Sequence, residues 1–106
     1  MGVYVVPKAR GLSKENRFSF KCKDGGKTYS VPFLQYLSGP GSDYITDAIE
    51  AKMDENRMTR GLIAVECPAA AEEVSLMSSD QVTDLSHAWA DASTATVPKS
   101  QDSEDS

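Results

Sequence analysis

The chain is poor in the residues on which most chemistry depends. It has two cysteines, Cys22 and Cys67, one histidine, His87, and one tryptophan, Trp89, in 106 residues. A small secreted domain held by disulfides carries more cysteines, so both thiols are expected to be reduced and packed as small hydrophobes. Cys22, Cys67 and His87 lack the paired short spacing of a zinc site. One histidine and no Gly-x-Ser-x-Gly sequence give a serine triad no support. Basic residues are also scarce: 11 Lys and Arg stand against 16 Asp and Glu, for a net charge of −5. Phosphate contact needs clustered Lys and Arg, which counts against nucleic-acid binding. No apolar run approaches membrane length, and no apolar stretch follows a basic start as in a signal peptide. No metal, cofactor or catalytic residue is expected, and the cytosol is the expected compartment.

What is present is a clear order of patterns. Residues 1–17 hold a short apolar run, Val3-Tyr4-Val5-Val6, which Pro7 and a polar stretch cut off. They are expected to form a flexible arm. Residues 18–33 predict a β-hairpin. Phe18, Phe20 and Cys22 alternate with polar residues, as do Tyr29, Val31 and Phe33, around Asp24-Gly25-Gly26-Lys27. A loop at Gly25-Gly26 pairs Phe20 with Val31, whereas a loop at Asp24-Gly25 keeps the same faces and slides the pairs by two. A hairpin with one apolar face must be covered by helices.

Leu34–Gly41 reads as a connector, with Leu34, Tyr36 and Leu37 anchored in the core and Gly39-Pro40-Gly41 breaking the chain. A helix is predicted over 43–57, capped by Ser42 or Asp43, with Ile45, Ala48, Ile49 and Met53 on one face. A second is predicted over 59–67, burying Leu62, Ile63 and Val65, although Leu62–Val65 also suits a strand. A third follows over 69–77, with Pro68 in its first turn and Val74, Leu76 and Met77 turned inward. The last covers 79–93. Ser78 is its expected cap, Gln81 can reach back to it, and Met77 and Val82 can staple the start. Val82, Leu85, Trp89 and Ala92 form its apolar stripe. The fold expected is α+β: a single domain over 18–94, in which the hairpin packs on three to four helices. A disordered acidic Ser/Asp-rich tail is expected over 95–106.

Few residues invite a chemical role. Gly26-Lys27-Thr28 resembles the end of a phosphate-binding loop, but Lys21 stands where that motif needs glycine, and a strand follows where it needs a helix. Asp47, Glu50 and Asp54 share a helical face, which is ordinarily a solvated surface. Val82, Leu85 and Trp89 are the candidate partner-binding residues, because tryptophan is over-represented at interface hot spots. The same stripe equally suits the core.

Phe18-x-Phe20, Gly26-Lys27-x-Tyr29-x-Val31-Pro32 and Tyr36-Leu37 are followed by helices. Met77-Ser78-x-x-Gln81-Val82-x-x-Leu85-x-x-Ala88-Trp89-x-x-Ala92-Ser93 comes after them. Over residues 18–93 this order resembles the small tail assembly chaperones of long-tailed actinobacterial phages and prophages. The resemblance implies a protein that is not an enzyme and is not part of the finished virion. It implies binding to the tape-measure protein and to tail-tube subunits during tail morphogenesis, with self-association left open. Many members are made in two lengths by ribosomal frameshifting, and Val97-Pro98-Lys99 can be encoded on a slippery C CCA AAG. The competing expectation is a structural virion protein, either a head–tail connector or a minor tail subunit.

Overall fold

The structure, a computed structural model, describes residues 2–95. The expected tail from residue 96 on, with Val97-Pro98-Lys99, lies outside the described residues. The chain builds the expected α+β arrangement of one antiparallel hairpin and a set of packed helices.

Strand β1 (Arg17–Lys21) pairs with β2 (Thr28–Pro32), placing Phe18 opposite Val31 and Phe20 opposite Tyr29. Of the two registers the sequence allows, this is the one centred on Asp24-Gly25. Gly25 adopts φ +77°, a conformation that costs glycine little, and the Gly26 N–H closes the turn on the Lys23 carbonyl at 3.0 Å. The Phe18, Phe20, Tyr29 and Val31 side chains share one face, with Phe20 stacked against Phe18 and tilted against Tyr29.

Of the expected flexible arm, residues 10–17 are in fact docked. Two 3-10 turns, Arg10–Leu12 and Lys14–Asn16, lead into β1. Gly11 is buried so tightly that a Cβ there would lie 2.5 Å from the Tyr36 carbonyl oxygen and 2.9 Å from the Pro32 Cβ. Arg17 secures the turn: its guanidinium donates to the Gly11 carbonyl at 2.7 Å and to the Ser30 hydroxyl and carbonyl. Residues 2–9 form no regular element and are exposed.

The helix expected over 43–57 is two helices. Helix α1 spans Gly39–Glu50, so Gly39-Pro40-Gly41 opens it instead of breaking the chain. Ser38, not Ser42 or Asp43, is the cap, accepting from the Gly41 N–H at 3.1 Å, and Pro40 needs no N–H in a first turn. The helix ends because Lys52 turns left-handed at φ +56°. Met53 N–H then bonds back to Ala48 and Lys52 N–H to Ile49, the paired closure of a Schellman end. Asp54 caps α2 (Glu55–Glu66), which therefore begins ahead of the expected residue 59. Pro68–Ala70 is a 3-10 turn that leads into a short α3, Ala71–Ser75. Helix α4 covers Ser79–Ala95, and Gln81 accepts the Ser78 N–H at 2.9 Å, the reach-back that the sequence predicts.

Helix α2 lies at the centre, touching α1, α3, α4 and β2. Val31, Ile63, Val74 and Val82 are fully buried, with Phe20, Tyr29, Leu62 and Trp89 around them. Three residues expected inside are not. Ile49 is 62% exposed, because the buried face of α1 runs through Gly41 and Ala48 and Ile49 sits about 100° further round. Leu76 is 79% exposed, about half a turn past the buried Val74. Leu34 lies at the surface.

Candidate functional site

The predicted partner stripe on α4 faces the hairpin. Val82 is fully buried, and Trp89 is buried with its Nε1–H donated to the Pro32 carbonyl at 2.9 Å. Leu85 is half-buried and packs against the same core. Two of the three candidates therefore belong to the core in this state, not to a presented surface. The cause is the exposed alternative: the hairpin face has no second sheet, so the α4 stripe is what removes it from water.

Beside that stripe runs a surface groove. One part, about 220 Å³, lies among Cys22, Lys23, Glu73, Leu76, Met77 and Gln81. A second part, about 310 Å³, shares Cys22, Met77 and Gln81 and adds Lys21, Asp84 and Leu85. Together they follow the β1 side of the hairpin tip and the first two turns of α4. A separate cleft of about 160 Å³ lies among α1, α2 and α4 and is lined by Leu34, Ile45, Met58, Leu62, Trp89 and Ala90.

Beside the first groove, Tyr29 donates its hydroxyl to Glu73 Oε2 at 3.1 Å, while Glu73 Oε1 is buried with no hydrogen-bond partner among the described residues. Burial pushes the Cys22 thiol above its ordinary value, and the neighbouring Glu73 carboxylate adds to the effect. Burial and then Glu73 also raise the Tyr29 hydroxyl. A raised thiol stays protonated at neutral pH, so Cys22 is a poor nucleophile there. Both cysteines are free and half-buried, less enclosed than expected. The arrangement suits apolar contact with a polar rim.

The remaining candidates take ordinary places. His87 is exposed, with Nε2 3.8 Å from Glu55. Asp47 and Glu50 face solvent, and Asp54 serves as the α2 cap. Asp80 is held below the usual carboxylate range by the Ser78 hydroxyl. Lys27 leaves the hairpin turn to sit over the Tyr29 ring, 5.8 Å from its centroid. Among the described residues no cluster of His, Cys, Asp or Glu is placed to hold a metal ion, and no helix is long and apolar enough to cross a membrane.

The sequence pattern missed the groove. Alternation assigns residues to the faces of a strand, but it does not say which strand edge stays open or which helix runs beside it. The one available signal was Pro32, which cannot donate to a neighbouring strand and so marks β2 as a closed edge. Comparison with protein-family models, with curated proteins and with solved structures finds no match.

Proposed function

We propose that this protein is a non-enzymatic tail assembly chaperone, which binds the tape-measure protein and tail-tube subunits in the host cytoplasm and leaves before the virion is complete. The observation that carries the proposal is the order of patterns over residues 18–93: an aromatic hairpin, then helices, then the Met77–Ser93 segment with its Ser78-x-x-Gln81 start. The mechanism is sequestration. A long helical client presents apolar faces before assembly, and a carrier with apolar clefts masks them by packing a client helix in a groove. The cleft beside Trp89 and the groove between β1 and α4 supply such surfaces, with Leu76 standing at the rim of the latter. The net charge of −5 keeps a carrier of this kind dispersed.

The test is co-expression with the tape-measure protein of the same phage. The soluble fraction of the tape-measure protein is expected to rise when this chain is present, and mature particles are expected to lack the chain by mass spectrometry. A tape-measure protein no more soluble with the chain than without it overturns the proposal. Recovery of the chain in purified virions favours a structural tail or connector component instead.

A further inference from the structure

The hairpin is the molecule's only sheet among the described residues, so each strand has an outer edge. The Phe33 N–H bonds to the Asn16 carbonyl, which fixes the alternation of the ladder. With that pair hydrogen-bonded, Phe18–Val31 and Phe20–Tyr29 are also hydrogen-bonded pairs. The backbone groups of Arg17, Ser19 and Lys21 then point outward from β1, and those of Thr28, Ser30 and Pro32 outward from β2.

The two edges differ. Pro32 has no N–H, and its carbonyl is taken by Trp89. The Ser30 carbonyl is taken by Arg17. The β2 edge is closed to another strand. On β1, no partner among the described residues meets the outward N–H or C=O of Ser19 or Lys21. The groove opens at the end of this edge, beside Lys21 and Cys22, with Met77, Gln81 and Leu85 as its far wall. An added strand would complete its hydrogen bonds on β1 and lay alternate side chains on Met77 and Leu85.

The same chain carries an unpaired strand-forming segment. Val3, Tyr4, Val5 and Val6 are 88%, 80%, 79% and 75% exposed, and none of their backbone groups is bonded within the described residues. β-Branched and aromatic residues favour strands, and an exposed apolar run of this kind is a ready edge partner. The segment is rooted over β2, where Gly11 packs on Pro32, on the closed side of the hairpin. We propose that Val3–Val6 of one copy adds as a strand to the open β1 edge of a second copy, filling the groove between β1 and α4. This self-pairing is independent of the tail function proposed above.

Sedimentation equilibrium of the full chain, up to about 100 μM, reads the association directly, since an interface this small belongs to the weak class. A monomer–dimer equilibrium is expected. The double variant Val3→Asp/Val5→Asp is expected to weaken it by at least about tenfold, since it removes the apolar side chains that would pack on Met77 and Leu85 and the β-branched residues that favour the strand. Both positions are exposed, so the fold, followed by circular dichroism, stays intact. The pairing itself is read by mixing a Tyr4→Cys protein with a Ser19→Cys protein, each also carrying Cys22→Ser and Cys67→Ser, since Tyr4 and Ser19 both point away from the groove when Val3 and Val5 enter it. An intermolecular disulfide between the two is expected. A monomer at every concentration overturns the proposal. So does a dimer indifferent to the aspartates, or a mixture that yields no disulfide between the two proteins. If the cysteine-free background fails to fold, the effect of the aspartates on the native-cysteine chain decides alone.

Discussion

Helix α4 and the N-terminal arm carry apolar stretches of similar make-up, yet one is inside and the other is bare. Val82 and Trp89 are buried, while Val3, Tyr4, Val5 and Val6 all exceed 70% exposure. Hydrophobicity does not separate them. What does is polar fastening at the right distance. Helix α4 is tied to the hairpin and the following turn by Trp89 Nε1–H to the Pro32 carbonyl, by the Leu34 N–H to the Ser93 hydroxyl, and by Gln35 to the Ser93 carbonyl. It also satisfies its own backbone as a helix. Over residues 2–8 the arm has no such ties among the described residues, and a lone strand cannot satisfy its own N–H and C=O groups. Burying it would leave those groups unpaired unless an edge received them.

The contrast breaks most easily at Trp89. Trp89→Ala removes the largest side chain of the stripe and leaves the Pro32 carbonyl unpaired. The expected loss is about 3–5 kcal/mol, enough to unfold much of a domain this small. Urea titration followed by far-ultraviolet circular dichroism reads it, since the fluorescent residue is gone. A loss below about 1 kcal/mol would mean that the stripe is not the core. Ser93→Ala is the next step down. It removes the hydroxyl that accepts the Leu34 N–H while leaving the apolar stripe whole, and about 1–2 kcal/mol should go with it. Thr at the same position keeps the hydroxyl, so a smaller loss in Ser93→Thr assigns the effect to the bond.

How much of this was legible follows from where each signal sits. The hairpin faces, the start of α4 and the burial of Leu62, Ile63 and Val74 were all readable, because alternation and capping chemistry act within a few residues of the positions they govern. The break between α1 and α2 was not. Ala51-Lys52 carries no glycine or proline, and the left-handed Lys52 is held by bonds back to Ala48 and Ile49 that only the finished turn creates. Gly39-Pro40-Gly41 read as a breaker because those residues end helices as often as they begin them, and only the Ser38 cap decides. Of the candidate site, the sequence identified the Val82, Leu85 and Trp89 stripe but not the way it faces. A stripe looks the same whether its partner is this chain's hairpin or another molecule. The groove was out of reach, since its walls join Lys21 to Leu85 across most of the chain.

The smallest effect belongs to the arm, and its smallness is informative. Val5→Ser replaces a residue that is 79% exposed and forms no hydrogen bond within the described residues. On dilute, monomeric protein the unfolding free energy should shift by no more than about 0.5 kcal/mol, the ordinary range for a surface change. Urea midpoints compared with the parent chain read it. A larger loss would mean that the arm folds back onto its own domain in solution, and the contrast with α4 would disappear. A null result does more than preserve the contrast. It removes intramolecular packing as the reason for four consecutive strand-forming residues, and leaves only contact with another chain to bury them. The same substitution at high concentration should then weaken self-association without touching the fold, because a side chain that is bare in the monomer is buried only once a second copy supplies the β1 edge.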